Sequence, residues 1–277
     1  MTPVSEITAA DASRLIGELT AIVARAASVI MANPPSKVSR RVKPDGSSVT
    51  SADEASETVI LEALARLLPG VTTVSEEAAA RAAPGALGAS FVLVDPLDGT
   101  REFLAGRDEF AVNLAIIGNN IPIAGIIAAP ARGLLWRGVA GIGAERLRLE
   151  AGATTGKPEA IRTRAWPTQA AVATVSRSHL DAATEAFLAK LAPAKRELCG
   201  SSIKFCKIAQ GEADIYPRLS PTSEWDIAAG QAVLAAAGGS VTMPDGGPLA
   251  YGRAAAGFRV PAFMAWGDPA KAASFKV

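Results

Sequence analysis

The chain has 277 residues, of which 49% are hydrophobic and 20% are charged, and its 28 Lys and Arg nearly balance its 27 Asp and Glu. This composition excludes a disordered chain and a disulfide scaffold, and the net charge of +1 argues against a protein that binds nucleic acid by neutralising many phosphates. One histidine and two cysteines argue against a zinc centre, so a catalytic metal must be held mainly by carboxylates, which prefer hard cations such as Mg²⁺.

The N-terminal third is predicted to contain two helices. Apolar residues recur at helical spacing over residues 5–32, and Asn33-Pro34-Pro35 ends that helix. After a polar loop, Ser51-Ala52-Asp53-Glu54 is typical of a capping box, which starts a second helix that ends near residue 68.

The following part of the chain is predicted to form a partly antiparallel sheet. A short strand over 71–75 leads into Glu76-Glu77, residues 78–90 form a helix fragment and a loop, and a buried strand over 91–94 ends at Asp95. Further strands are predicted at 110–118, 121–129 and 134–139, the first two joined in a hairpin at Asn119-Asn120.

Helices and strands alternate in the second half. Residues 150–168 are rich in Gly, Thr and Pro, which favours a linker between lobes at 1–150 and 151–277. The pattern therefore predicts an α/β protein of two lobes. Strands are predicted at 171–175, 195–198, 213–216, near 240 and at 262–266, and helices at 180–191, 202–210 and 225–237.

Charged residues near the N-terminus argue against a signal peptide, and the Asn and Pro residues within 110–131 argue against a membrane span. Cys199 and Cys206 are interpreted as reduced thiols. A cytoplasmic protein without an integral membrane segment is expected. Attachment to the inner membrane surface stays open, as does the choice between a monomer and a homodimer.

The sharpest motif is Asp95-Pro96-Leu97-Asp98-Gly99-Thr100. A buried strand delivers Asp95 at its C-terminal end, where α/β proteins usually bind ligands, and Asp98 returns three residues later. Backbone N–H groups at Gly99 and Thr100 suit a phosphate, which two carboxylates would repel unless cations lay between them. The alternative is a capped turn with solvated aspartates.

Three other stretches supply carboxylates. Glu76 follows a strand, Asp226 opens a predicted helix after Trp225, and Asp53 lies at another helix start. Each also has a simple structural reading, as a solvated strand end or as a charge favoured by a helix dipole.

Together these motifs resemble the lithium-sensitive, Mg²⁺-dependent inositol monophosphatase superfamily, whose members share a layered αβαβα fold with the metal site between two lobes. The resemblance covers nearly the whole chain. Its motifs are Lys43-x-Asp45-x-Ser47-x-Val49-Thr50-x-Ala52-Asp53, Ser75-Glu76-Glu77, Asp95-Pro96-Leu97-Asp98-Gly99-Thr100 and Trp225-Asp226-x-Ala228-Ala229-Gly230.

The resemblance implies a role for each matching residue. One Mg²⁺ would be held by Glu76, Asp95 and the Leu97 carbonyl, and a second by Asp95, Asp98 and Asp226, with a third, weaker ion at Glu76 and water. Thr100 and Asp53 would help to deprotonate the attacking water, and the Gly99 and Thr100 N–H groups would bind phosphate.

Three flanking features resemble the bisphosphate nucleotidases of this superfamily more than its inositol monophosphatases. They are Arg101-Glu102-Phe103, in which Arg replaces the usual Lys, Ser176-Arg177-Ser178-His179, and the pair of segments Gly200–Cys206 and Asp214–Arg218. They imply nucleotide contacts by Ser176, His179, Ser201 and Lys204, and a phosphate contact by Arg218.

The implied activity is hydrolysis of the 3'-phosphate of adenosine 3',5'-bisphosphate to AMP and phosphate, with 3'-phosphoadenylyl sulfate as a further substrate and a link to sulfate assimilation. The alternatives are an inositol monophosphatase or a fructose 1,6-bisphosphatase of the same fold, and a non-catalytic phosphometabolite-binding protein. The complete set of carboxylates speaks against the last of these.

Overall fold

The structure of the protein is a computed structural model that describes residues 6–43, 46–81, 87–178, 180–191 and 194–275. The helices in these ranges are α1 (Ala9–Ala32), α2 (Ser51–Leu67), α3 (Glu76–Arg81), α4 (Thr100–Leu104), α5 (Ala182–Lys190), α6 (Ile203–Ala209), α7 (Glu224–Ala236) and α8 (Pro269–Ser274). The strands are β1 (Arg40–Val42), β2 (Ser48–Thr50), β3 (Thr72–Ser75), β4 (Ser90–Asp98), β5 (Ala111–Gly118), β6 (Ile121–Ala129), β7 (Leu134–Val139), β8 (Gly143–Glu150), β9 (Ala153–Ile161), β10 (Ala171–Ser176), β11 (Ala194–Cys199), β12 (Ile215–Arg218), β13 (Thr222–Ser223), β14 (Ser240–Thr242), β15 (Arg259–Val260) and β16 (Phe263–Trp266).

Two large sheets and three helical layers alternate. The first sheet has the order β3-β4-β5-β6-β7-β8-β9, with β3 and β4 parallel and the later described neighbours antiparallel. The second has the order β11-β10-β12-β16-β14. Apolar side chains of α1 and α2 cover the outer face of the first sheet, α6 and α7 fill the space between the sheets, and α5 and α8 cover the outer face of the second. The predicted αβαβα fold is confirmed.

The central strands are buried because helices cover both faces of the first sheet. Every residue of β5 is buried, and β4 is buried until its last residue, Asp98. Such strands are continuous apolar runs because neither face meets water. Helix α7 lies against this sheet at Gly125, where a Cβ atom would stand only 2.4 Å from the Ala229 carbonyl oxygen. This close packing fixes the helix whose first turn carries Asp226.

Helix α1 is long and apolar enough to cross a membrane by length and composition. A core helix passes the same test, and Leu19, Val23 and Ile30 of α1 are fully buried among residues of α2 and the first sheet. We interpret α1 as a core helix, in agreement with the sequence prediction of no membrane span.

Most predicted elements are present with ends shifted by a few residues, but part of the predicted linker at 150–168 forms a strand, β9. Strands β8 and β9 form a hairpin there, joined at Ala151 and Gly152, and β9 is the edge of the first sheet. The capping box also differs. Helix α2 begins at Ser51, so its N-cap is Thr50, paired with Asp53. A helix fragment and a loop are predicted at 78–90. The helix, α3, begins two residues earlier, at Glu76, and ends at Arg81, and residues 82–86 lie outside the described residues.

Candidate active site

A cavity of about 300 Å³ lies between the two sheets and gathers most of the predicted site residues. Its lining comes from the ends of β3 and β4, the start of α4, the ends of β10 and β12, the turn before α6 and the start of α7. The predicted residues in this lining are Glu76, Asp95, Leu97, Asp98, Gly99, Thr100, Ser176, Ser201, Lys204, Arg218 and Asp226.

Three carboxylates meet on one wall of the cavity. Each of Glu76, Asp95 and Asp226 offers an oxygen that lies within 4.8 Å of the other two. Asp95 is buried and the other two are half-buried. Their parent segments are far apart in the chain, and the stacking of the two sheets brings them together.

Burial and neighbouring carboxylates raise the pKa values of Asp95, Glu76 and Asp98. Burial, with the charges of Glu76, Asp98 and Asp226, raises the pKa of Asp95 well above its usual range. Burial also raises the pKa of Glu76 to about 8, although Lys43 opposes the rise, and raises that of Asp98 to about 6, with Asp226 contributing. A cation between these oxygens would remove the repulsion.

Hydrogen bonds fix the orientation of Asp95 and Asp98. Asp95 accepts the Leu97 N–H at 3.0 Å. Asp98 accepts the Ser202 N–H at 2.5 Å and an Asn113 amide N–H at 3.3 Å. Ser202 in turn donates its hydroxyl to the Asn113 side chain at 2.6 Å. These hydrogen bonds restrict the rotation of the Asp95 and Asp98 side chains, which both line the cavity.

Asp226 and Glu76 accept hydrogen bonds from residues that do not belong to the group of three carboxylates. Asp226 accepts the Ser223 N–H at 3.0 Å and the Thr222 hydroxyl, which places it as the third residue of a capping box on α7. Lys43 donates to both Glu76 and Glu77, at 2.7 Å each. Lys43 therefore places a positive charge beside Glu76, at the edge of the acidic cluster.

Asp53 lies behind the cavity wall and reaches it through Thr100. The Thr100 hydroxyl is 3.2 Å from Asp53 Oδ1 and 3.1 Å from the Leu97 carbonyl oxygen. The other Asp53 oxygen accepts the Thr50 N–H at 2.9 Å, as part of the cap on α2. The structure therefore brings the predicted Asp53–Thr100 pair into contact.

Gly99 is the N-cap of α4 and has a left-handed backbone, with φ of 90°. A Cβ atom there would lie 2.9 Å from the Glu109 carbonyl oxygen and 3.3 Å from Ser201 Cβ. Only glycine fits both the conformation and the space. Gly99 and Thr100 of this turn line the cavity beside the acidic cluster.

Lys204 lines the cavity from the first turn of α6, which begins at Ile203. Ser201, just before that helix, has a left-handed φ of 51°. The buried Lys204 ammonium donates to the Ser201 carbonyl at 2.6 Å and the Cys199 carbonyl at 3.3 Å. It also lies 4.8 Å from the centre of the Tyr216 ring.

Ser176 and Arg218 line the same cavity from the ends of β10 and β12. Arg218 donates to the Pro221 carbonyl at 3.2 Å, and its buried Nε has no hydrogen-bond partner among the described residues. The predicted nucleotide contact His179 lies outside the described residues, as does Asp45 of the first motif.

Several lining residues had no predicted role. Ser202 orients Asp98 with the help of Asn113, which lies behind the lining, and Arg259 donates to the Ser223 hydroxyl at 3.3 Å. Lys43 is part of the first motif, so a signal for it was present, whereas Arg259 belongs to no motif and only strand pairing of β15 with β13 brings it to the cavity.

Comparisons with known proteins agree with this geometry. A sequence model of the inositol monophosphatase family matches residues 11–265. The chain is 40% identical over 209 residues to the 3'(2'),5'-bisphosphate nucleotidase CysQ of Escherichia coli K12, covering 76% of this chain and 81% of the relative. It is 36% identical to the CysQ protein of Buchnera aphidicola, covering 76% of each.

Solved structures show the same fold. The crystal structure of CysQ from Bacteroides thetaiotaomicron superposes with a TM-score of 0.75 and 29% identity, covering 92% of this chain and 97% of that one. An inositol monophosphatase from Anabaena gives a TM-score of 0.70 and 25% identity, covering 92% of both chains. Sequence, fold and acidic cluster agree, and this chain belongs to the inositol monophosphatase family.

Proposed function

We propose that this protein is a Mg²⁺-dependent 3'(2'),5'-bisphosphate nucleotidase that hydrolyses the 3'-phosphate of adenosine 3',5'-bisphosphate to AMP and phosphate. The observation that carries the proposal is a single cavity that holds the acidic group of Glu76, Asp95 and Asp226 at one place and the cations Lys204 and Arg218 at another. The relatives named CysQ support the same substrate class.

The donor set fits magnesium. Carboxylate and carbonyl oxygens are the ligands that hard cations prefer, and no described histidine or cysteine lies in the lining. Glu76, Asp95 and the Leu97 carbonyl would hold one ion, and Asp95, Asp98 and Asp226 a second, with a third at Glu76. When bound, Mg²⁺ supplies Lewis-acid stabilisation of negative charge on the phosphoryl group and favours ionisation of the attacking water.

The residues of the chain position the reactants and move the proton. Gly99 and Thr100 N–H groups bind the reacting phosphate at the start of α4. The Thr100 hydroxyl, hydrogen-bonded to Asp53, orients the attacking water and accepts its proton as Thr100 passes its own to the carboxylate. Direct attack by water requires no covalent intermediate.

The far part of the cavity recognises the rest of the substrate. Ser176, Ser201, Lys204 and Arg218 provide hydroxyls and cations for the 5'-phosphate and the ribose, and His179 is proposed to contact the nucleotide as well. The same contacts suit 3'-phosphoadenylyl sulfate. An inositol monophosphate or fructose 1,6-bisphosphate is the second candidate, since an Anabaena inositol monophosphatase shares the fold.

We propose a division into lobes at 1–150 and 151–277, with the cavity between them, although β9 adds its strand to the first sheet. A cytoplasmic location agrees with the free, buried thiols of Cys199 and Cys206.

Replacing Lys204 with methionine is expected to raise KM for adenosine 3',5'-bisphosphate about tenfold or more, because a charge-assisted hydrogen bond to the second phosphate is lost. KM for 4-nitrophenyl phosphate, which has one phosphate, should change far less. Steady-state phosphate release with both substrates measures the difference.

Lys207 provides a matched control for that substitution. It lies on the same helix, pairs with Glu197 and does not line the cavity. Lys207→Met should leave both KM values near those of the parent. Equal rises for both substrates in Lys204→Met would remove Lys204 from the second-phosphate site and assign it to supporting the Cys199 and Ser201 carbonyls.

The substrate assignment is tested by a panel of adenosine 3',5'-bisphosphate, adenosine 2',5'-bisphosphate, myo-inositol 1-phosphate and fructose 1,6-bisphosphate, each with Mg²⁺. The proposed function predicts the highest kcat/KM for the bisphosphate nucleotides. Tight nucleotide binding with no phosphate release at saturating Mg²⁺ would support a non-catalytic binding protein.

A further inference from the structure

Glu109 joins two segments that line the far part of the cavity, the end of β10 and the turn after β11, to the start of β5. Its buried carboxylate lies just before β5 and accepts Arg177 Nε and Nη2 at 2.7 Å each, in a two-pronged ion pair. It also accepts the Gly200 N–H at 3.0 Å. Arg177 follows β10 and Gly200 follows β11, so one side chain ties the ends of two neighbouring strands to the start of a strand in the other sheet.

The backbone of Glu109 touches the phosphate-binding turn. Its carbonyl oxygen would lie 2.9 Å from a Cβ atom on Gly99 and 2.7 Å from one on Gly200. No side chain fits between Glu109 and either glycine. The residue therefore sits between the turn at the reacting phosphate and the turn that leads to Ser201.

The segments that Glu109 holds carry the proposed nucleotide contacts. Ser176 precedes Arg177, and Ser201 follows Gly200, with Lys204 on the next turn of chain. A second contact also joins the segment after β10 to the first sheet's side of the cavity, because the Ser178 hydroxyl donates to Glu102 of α4. Helix α4 begins at Thr100, so the reacting-phosphate turn and the nucleotide segments are linked twice.

Glu109 itself does not line the cavity, and neither does Arg177. The Arg177 guanidinium holds the pKa of Glu109 below its usual range, so the carboxylate is ionised at neutral pH and accepts all three bonds. Two charge-assisted bonds in a fixed fork define direction as well as distance. The Glu109–Arg177 pair thus lies between the Gly99 turn and the Gly200 turn, and it would not contact a substrate in the cavity.

We propose that Glu109 is a positioning residue that sets the distance between the reacting phosphate and the nucleotide contacts, acting through Arg177 and Gly200. The inference rests on the proposed function and adds a determinant of its specificity for two-phosphate substrates. Without the carboxylate, the segments after β10 and β11 lose their common anchor. A substrate held only at the reacting phosphate does not depend on that anchor.

The test is a double-mutant cycle with Glu109→Gln, Arg177→Met and the double variant, assayed with adenosine 3',5'-bisphosphate and 4-nitrophenyl phosphate. Glu109→Gln should raise KM for the bisphosphate about tenfold. Both its kcat and its KM for 4-nitrophenyl phosphate should stay within about twofold, because the metal and phosphate end is untouched. Adding Arg177→Met should cost little more, since both changes break one interaction.

Glu145→Gln is the control, because Glu145 accepts Arg137 Nε at 2.9 Å and Nη2 at 2.7 Å on one carboxylate oxygen, in an Arg–Glu ion pair that lies outside the cavity lining. Thermal unfolding of each variant shows whether the fold is kept. Equal losses with both substrates, additive effects in the cycle, or no change in KM would overturn the inference. If the unmodified protein prefers myo-inositol 1-phosphate, the proposed function fails and this inference fails with it.

Discussion

Replacing Asp95 with asparagine is expected to lower kcat for phosphate release by about a thousandfold or more, even at saturating Mg²⁺. Asp95 is the buried member of the group of three carboxylates and is assigned to both metal ions, so one uncharged amide weakens both sites. Steady-state phosphate release measures the loss of activity, and isothermal titration calorimetry with Mg²⁺ measures the loss of binding.

The same substitution should stabilise the metal-free protein. Burial and three neighbouring carboxylates raise the pKa of Asp95, so its charge is unfavourable when no cation is bound. The melting temperature in EDTA should therefore rise, while the stabilisation gained from Mg²⁺ should shrink. Glu159→Gln, on the exposed edge strand, should change neither quantity. Activity near that of the parent would refute the assignment of Asp95 to both ions.

Replacing Asp53 with asparagine, or Thr100 with valine, is expected to lower kcat by about a hundredfold to ten-thousandfold with little change in KM. The Thr100 hydroxyl lies 3.2 Å from Asp53 Oδ1, and we propose that the pair carries a proton away from the attacking water. Mg²⁺ affinity should be nearly unchanged, because neither side chain belongs to the acidic group. Pre-steady-state phosphate release separates this step from product release.

A control must separate catalysis from helix capping, because Asp53 also accepts the Thr50 N–H at the start of α2. Asp181→Asn changes a comparable cap on α5, where Asp181 accepts the Thr184 N–H at 2.9 Å, at a position outside the cavity lining. It should lower the melting temperature as Asp53→Asn does, without loss of kcat. A Thr100→Val protein with the kcat of the parent would contradict the proton path.

The buried strands of the fold could be predicted because their sequence pattern is local. The apolar run before Asp95 and the runs on either side of Asn119-Asn120 are buried on both faces, so they stand out against polar neighbours. Strand β9 could not be predicted in the same way. It is an edge strand exposed along most of its length, and it contains Gly156 and Pro158, so its residues resemble a loop.

The acidic part of the site could be predicted for a similar reason. Asp95, Asp98 and Thr100 lie within six residues after a buried strand, and together with the other motifs this spacing favours convergence over a capped, solvated turn. The contacts that orient them depend on distant chain segments, such as Ser202 on Asp98, 104 residues away. Lys204 is buried against backbone carbonyls because the chain makes a left-handed turn at Ser201. That turn could not be predicted, because serine is not a residue type that favours the left-handed conformation.

The most direct test of the central claim is kcat/KM for phosphate release from adenosine 3',5'-bisphosphate and from myo-inositol 1-phosphate, each titrated with Mg²⁺ and repeated in EDTA. The account predicts release from the bisphosphate that depends on Mg²⁺ and exceeds release from the inositol phosphate by about a hundredfold or more, since two anchored phosphates add binding energy that one cannot. A preference for the inositol phosphate, or release that persists in EDTA, would contradict it.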